Sequence, residues 1–377
     1  MGASISAGGP GLVGSSDEAG TVAAWCKNEC VQRGGVDETR SETLLRRLRS
    51  IPPLVLGLLL VTALLPVLLI LGLAIDFVRR VVSGVPPTAA RLALFLWVYL
   101  AAETAGLAVL AAVWVASLGG RRGAWLRDMT WRFQQLWAGA LFGAVRGLFR
   151  LRLEVEGDDA VAPGPVIVLI RHASIVDNLL PANLIARPHR IRLRYVLKRE
   201  LLSDPCLDVA GRRLPNYFVR RGTGEAVELE RMRSLAQGLE GDEGVLIYPE
   251  GTRFTLERRR RAIARIGERD PRLVERAERL RHLLPPRLGG VGALLDGAPD
   301  ADIVVIAHHG FDGLRLVSDI WRGGLVDLFV RVRVTRVPRS AVPAGDAARA
   351  DWLYDLWQDV DDWLEKRFAA DPQPVES

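Results

Sequence analysis

Lysine is nearly absent from this 377-residue chain: Lys27, Lys198 and Lys366 stand against 47 arginines. With abundant Ala, Gly and Val, that bias points to a high-GC genome and a bacterial source. Cysteine is as scarce. Cys26, Cys30 and Cys206 are too few and too scattered for a disulfide framework. Cys26 and Cys30 lack a second Cys or His pair at metal-ligand spacing, so they read as free thiols and no metal is expected there. Free thiols fit a reducing, cytosol-facing location. No Ser stands in a Gly-x-Ser-x-Gly setting, which removes the serine nucleophile of that motif. No basic segment leading into a hydrophobic core opens the chain, so a secretory signal peptide is not expected. No internal repeat is evident.

What the chain does have is apolar residues and positive charge. Hydrophobic side chains make up 49% of it, mean hydropathy is +0.15 and the formal net charge is +6. That is more apolar than a purely soluble chain needs. The charge favours anionic partners such as acidic lipid or phosphorylated substrates. The length suits one catalytic-sized domain with an appendage.

Residues 1–45 are rich in Gly, Ser and charge without apolar periodicity, and are expected to be a disordered tail. Met1-Gly2-Ala-Ser-Ile-Ser6 has the spacing of an N-myristoylation site, but the chain holds better anchors. Between Arg49 and Asp76 lie 26 uncharged residues, enough at 1.5 Å per residue to cross a core of about 30 Å. Pro66 is expected to kink that helix. A second apolar stretch, 92–120, is interrupted only by Glu103. Together they predict a transmembrane helical hairpin over 46–122, with 77–91 as its turn. Arg46, Arg47 and Arg49 before it, and Arg121, Arg122, Arg127 and Arg132 after it, outnumber Arg79, Arg80 and Arg91 in the connection. Both outer flanks, and hence the remainder of the chain, are expected on the cytoplasmic side of a plasma membrane. A hairpin that dips into one leaflet is the alternative. Glu103 reads either as a functional intramembrane carboxylate or as a protonated or helix-paired group. Residues 123–150 interleave Trp125, Trp131 and Trp137 with Arg127, Arg132, Arg146 and Arg150, the pattern of an amphipathic interfacial helix or of one packed on the next domain.

From 151 to 370 short apolar runs alternate with helical stretches. Strands are expected at 166–170, 193–197, 244–248, 303–307 and 327–337. Helices are expected near 178–186, 224–240, 256–283 and 346–369. The alternation predicts an α/β fold, a central mostly parallel or mixed sheet flanked by helices.

Two of these strands end in polar groups, at the edge where open α/β sheets bind ligands. One is Val166-Ile-Val-Leu-Ile-Arg-His-Ala-Ser-Ile-Val-Asp177. Residues five apart on an α-helix lie about 140° from each other, so His172 and Asp177 meet only across a turn. Paired there, Asp177 fixes the imidazole tautomer and His172 becomes a general base, with the substrate supplying the nucleophilic hydroxyl. Ser174 has no activating geometry. A histidine capping a turn is the plainer explanation of that pair alone. The other strand runs into Tyr248-Pro-Glu-Gly-Thr-Arg253. It adds a turn-former, a carboxylate, a permissive glycine and a planar cation able to hold phosphate. Glu250 is expected to orient Arg253 or to take a substrate hydroxyl. His308-His309 reads as a pair beside a strand end rather than a ligand site, and Arg258-Arg259-Arg260-Arg261 as either a solvated face or a contact for headgroups or CoA phosphates.

These residues resemble a family. His172-Ala-Ser-Ile-Val-Asp177 is similar to the His-x4-Asp motif of glycerolipid acyltransferases typified by lysophosphatidic acid acyltransferase, and Tyr248 to Arg253 to their Phe/Tyr-Pro-Glu-Gly-Thr-Arg motif. Phe218-Val-Arg-Arg221 resembles the Gly-x-x-Phe-x-x-Arg block, Lys198-Arg-Glu-Leu201 the Lys-x-Glu-Leu block, and Val304-Val-Ile-Ala307 the last apolar block. Pro215, Arg171 and Ala307 depart from the pattern where Gly, Asn and Pro are common, which bears on acceptor specificity. Phe254-Thr255 and His282-Leu-Leu-Pro-Pro-Arg287 look more like a branch of eukaryotic-type enzymes. The resemblance implies transfer of an acyl group from acyl-CoA or acyl carrier protein to the free hydroxyl of lysophosphatidic acid, giving phosphatidic acid. Another lysophospholipid, glycerol 3-phosphate or a glycolipid are the alternative acceptors. It implies His172 as base and Asp177 as its orienter. Phe218, Arg221, Glu250, Gly251, Thr252 and Arg253 would bind the acceptor, with no metal, cofactor or nucleic acid. A non-catalytic membrane lipid-binding protein on the same fold would be expected to lack the His/Asp pair.

Overall fold

The computed structural model describes residues 38–370, apart from 175, 220–224 and 315. Nearly all of the expected tail lies outside the described residues, but its last six positions are helical. Helix α1, Arg40–Ser83, starts at a capping box in which the Thr39 hydroxyl accepts from Glu42 N and the Glu42 carboxylate accepts from Thr39 N. That local pairing explains why helix begins before the apolar run does.

Helix α2, Ala89–Ala116, folds back on α1. The expected turn at 77–91 is shorter because α1 continues to Ser83 and ends on Gly84 in the left-handed conformation (φ 69°). Asp76 closes the hairpin by accepting from Thr88 N and Ala89 N at 2.8 Å and from Ala90 N at 3.0 Å, the donors at the start of α2 that have no partner within the helix. Helix α3, Gly123–Phe149, packs on α2, and its Phe142, Val145 and Phe149 are buried in the domain core. Glu103 of α2 is buried and accepts from Cys206 N at 3.2 Å.

Both ends of α1 touch the α/β domain. Near one end, Arg46 and Arg47 each reach Asp208 at 2.7 Å. Near the other, Arg79 donates to Trp321 O at 2.7 Å and stacks over the Trp321 ring. At 1.5 Å per residue those contacts are about 50 Å apart. The hairpin therefore lies along the domain. Its outer side chains, among them Leu56, Leu60, Ile70, Phe77 and Val82, are exposed.

The domain is a seven-stranded sheet of order β1-β7-β6-β2-β5-β3-β4. Its strands are β1 Arg152–Glu156, β2 Val166–Ile170, β3 Arg192–Lys198, β4 Tyr217–Val219, β5 Glu243–Ile247, β6 Asp302–His309 and β7 Phe329–Val337. Strands β6, β2, β5, β3 and β4 run parallel, while β7 lies antiparallel to β6 and parallel to β1. The expected mixed sheet is present. Central strands are apolar on both faces because both are covered. Ile167 and Leu169 enter one core with Val245, Ile303 and Val305, while Val166, Val168 and Ile170 enter the other with Val304 and Ile306.

The remaining helices are α4 Pro205–Gly211, α5 Glu225–Ala236, α6 Leu256–Arg269, α7 Val274–Arg279, α8 Leu288–Gly297, α9 Val317–Trp321 and α10 Asp346–Ala370. Two expectations need correction. The helix read as continuous over 256–283 breaks at Asp270-Pro271, where Asp270 caps a new turn and Pro271 cannot continue the first helix. The helix expected at 178–186 is a short 3₁₀ turn, Asp177–Leu179, followed by a π turn, Ala182–Ala186. After β2 the chain moves to β3, and after β5 it moves to β6 on the opposite side. Neighbouring strands whose connections diverge leave a crevice at their carboxyl ends.

Candidate active site

His172 lies two residues beyond β2 and is 8% exposed. The chain turns immediately, and the turn is built on Asp177. One of its oxygens accepts from Ala173 N and Ser174 N, both at 2.8 Å. The same carboxylate lies 3.2 and 3.3 Å from His172 Nδ1. A buried carboxylate at that distance calls for a proton on Nδ1, which leaves the lone pair on Nε2. The five-residue spacing thus forms a turn in which one carboxylate holds both the backbone and the imidazole. The His172 ring also packs against Tyr248, with centroids 4.5 Å apart. Ser174 is committed elsewhere: its hydroxyl donates to Leu314 O at 2.9 Å and accepts from Val176 N at 3.1 Å.

Glu250 has a different task from orienting Arg253. Its carboxylate is 2% exposed. One oxygen accepts from His172 N at 2.9 Å and the other from Leu284 N at 3.0 Å. Glu250 therefore ties the turn after β5 to the histidine turn and to the 280–287 loop. Burial pushes its carboxyl up to about 7, against the opposing pull of those two amides. Asp361 of α10 supports the same loop by accepting from Arg281 N at 2.9 Å and His282 N at 2.8 Å.

Gly251 stands at φ 67°, and a Cβ there would lie 2.6 Å from Arg287 Nε. Glycine is required both for the backbone and for the guanidinium lying across it. Arg287 N donates to Pro249 O at 2.8 Å, fixing the loop at this point. Thr252 and Arg253 are partly exposed beside it. Phe218 is 2% exposed, its ring packed against Gly211, so its burial fits a packing role. Arg221 lies outside the described residues. The structure thus gathers His172, Asp177, Glu250 and Gly251, and adds Tyr248 and Arg287, which no expected role had covered.

Beneath the histidine, Arg171 is a buried cation. It donates to His308 O at 2.6 Å and pairs with Asp312, while His308 Nε2 donates to Arg171 O at 3.0 Å. Burial raises the Asp312 carboxyl, but Arg171 outweighs this and holds it below the usual range. Burial lowers His308, keeping it neutral. Among the described residues no group of three His, Cys, Asp or Glu is placed to hold a metal ion.

A base-like histidine with its carboxylate, at the crevice of a parallel sheet, suits removal of a proton from a bound hydroxyl. Residues 152–296 match the family model described as Acyltransferase. This segment is similar to an acyltransferase domain. The matched residues include His172, Asp177, Tyr248, Glu250, Gly251 and Arg287, while the β6 end and Asp361 fall outside them. The crystal structure of the 1-acyl-sn-glycerophosphate (LPA) acyltransferase, PlsC, from Thermotoga maritima is also similar. Its identity is 14% and its TM-score 0.47, over 73% of this chain and 98% of that one. No curated protein matches the sequence significantly.

Proposed function

We propose that the protein transfers a fatty acyl group from a thioester, acyl-CoA or acyl carrier protein, to the free hydroxyl of lysophosphatidic acid. The observation that carries this reading is the His172–Asp177 pair within a segment similar to an acyltransferase domain. His172 Nε2 takes the proton from the acceptor hydroxyl. Asp177 holds the imidazole and stabilises it once charged. The oxygen attacks the thioester carbonyl, the C–S bond breaks, and the thiolate leaves with the proton returned from His172. Glu250 positions the histidine turn through its amide. Arg253 holds the acceptor phosphate. Gly251 and Thr252 form the turn that presents Arg253, and Phe218 packs against Gly211 at the β4 edge.

The exposed apolar side chains of α1 and α2 support a membrane location, with the α/β domain on the cytoplasmic face. We place the hairpin within one leaflet, since a helix that touches the same domain near both ends cannot carry its turn across the bilayer. The tryptophans and arginines of α3 then lie at headgroup depth.

The test is to offer purified protein one labelled acyl-CoA with a panel of acceptors: lysophosphatidic acid, other lysophospholipids, glycerol 3-phosphate and monoacylglycerol. Labelled phosphatidic acid alone is the expected product. Preferential acylation of another acceptor would replace lysophosphatidic acid in this reading.

A further inference from the structure

Three guanidinium groups converge on one carboxylate near the carboxyl ends of β3 and β4. The Glu38 side chain is 3% exposed. It accepts from Arg46, from Arg199 at 2.7 Å and from Arg212 at 2.8 Å. Arg199 follows β3 directly and Arg212 follows α4, so the domain supplies much of the cradle while the occupant comes from chain ahead of α1. Burial raises the Glu38 carboxyl, but its hydrogen bonds from Arg46 and Arg199 prevail and hold it at about 2.

Two features distinguish this cluster from an ion pair that only fastens a helix. The cradle keeps other supports when Glu38 leaves: Arg46 also donates to Asp208 at 2.7 Å and Arg212 to the Thr43 hydroxyl at 3.0 Å. Glu38 itself stands before the Thr39 cap, so it can swing away with α1 intact. Beside the cluster opens a cavity of about 380 Å³, lined by Arg46, Arg199, Leu202, Ser203 and Val219 together with the carboxylates of Glu38 and Glu200.

Position selects the ligand. Strand β3 is two places from β2, so the cradle lies on the order of 10 Å along the edge from the strand that carries His172. An acceptor with phosphate and hydroxyl on neighbouring carbons does not bridge that gap. A thioester donor does, because its phosphate sits at the far end of a pantetheine arm. Converging guanidiniums suit phosphate oxygens as they suit a carboxylate. Resting on the acyl-transfer reading above, we propose that Arg46, Arg199 and Arg212 form the cradle for the phosphopantetheine phosphate of the acyl donor. Glu38 is its built-in occupant, displaced when the donor binds.

The test is calorimetric titration of CoA into detergent-purified wild type, Glu38→Gln and Arg199→Gln, without acceptor and with the unfolding midpoint recorded for each. Glu38→Gln is expected to tighten CoA binding about three- to tenfold, the scale of a competing charge pair, and Arg199→Gln to weaken it similarly. Sodium pyrophosphate should compete with CoA, and more strongly in Glu38→Gln. CoA binding that is unchanged or weaker in Glu38→Gln, with a lowered midpoint, overturns the proposal and leaves Glu38 as a fastener. Repeating the titration with holo acyl carrier protein separates the two sources. Binding of either one with the predicted dependence on Glu38 supports the cradle, and binding of neither overturns it. Failure of the acyl-transfer reading looks different: CoA binds with that dependence, yet no acceptor is acylated.

Discussion

Replacing Glu250 with Gln should change stability in a way that depends on pH, because the carboxylate is buried between two amides it cannot release. At low pH the wild-type group is protonated and Gln is close to its isostere, so the two proteins should differ by less than about 1 kcal/mol. The folded carboxyl titrates at about 7 against 4.5 when free. Between those values the native state binds more protons than the unfolded chain, so wild-type stability falls as pH rises through this window. The integrated loss is at most ~3 kcal/mol. Gln does not titrate and escapes it. The Gln amide presents N–H to one of the two backbone donors, His172 N or Leu284 N, a mismatch that the protonated wild-type carboxyl shares at low pH through its O–H. Denaturant unfolding in detergent at pH 5 and pH 8 should show Glu250→Gln gaining on wild type by a few kcal/mol as pH rises. Turnover should fall about ten- to a hundredfold at both pH values, because the His172 peptide has lost its tether. A stability difference that is flat with pH would refute the argument that Glu250 is held in a dry site.

Other substitutions test separate parts of the structure. Arg171→Gln should destabilise by ~3–5 kcal/mol, measured by denaturant midpoint, because it strands the Asp312 carboxylate and loosens the clamp on β6. Gly251→Ala should raise the KM for a phosphorylated acceptor several-fold more than for monoacylglycerol, since its Cβ clashes with Arg287 and shifts the turn that presents Arg253. Asp76→Ala should cost about 2 kcal/mol by opening three donors at the start of α2, read as faster proteolysis within the hairpin turn. A cysteine at Gly84, in a background lacking Cys26, Cys30 and Cys206, should react with impermeant maleimide from the same side as the α/β domain. Labelling from the opposite side would contradict a hairpin seated in one leaflet.

The sheet was legible because its central strands are covered on both faces. The run Val166 to Ile170 has no polar residue to obscure it, and β5 and β6 carry shorter apolar runs, Val245 to Ile247 and Ile303 to Ala307. Strand β4 spans only Tyr217–Val219, and α8 is a ten-residue helix containing four glycines, Gly289, Gly290, Gly292 and Gly297. Neither presents enough residues for a period to emerge. The pairing of His172 with Asp177 was also legible, since only a turn brings residues five apart together. The role of Glu250 was not. Its partners are backbone amides at 172 and 284, and a peptide N–H leaves no mark on composition. The same holds for Glu38, whose partners lie up to 174 positions away. The course of the hairpin depends on Trp321 meeting Arg79, a contact between distant segments that hydropathy does not report.

The central claim is that His172 removes a proton from a lipid hydroxyl with Asp177 as its orienter. Labelled acyl-CoA and lysophosphatidic acid incubated with wild type, His172→Ala and Asp177→Asn in the same detergent test it most directly. Wild type should yield labelled phosphatidic acid. Less than about one per cent of that rate is expected from His172→Ala and a loss of about a hundredfold or more from Asp177→Asn, with His172→Ala still binding CoA. Turnover by His172→Ala above a few per cent of wild type would contradict it.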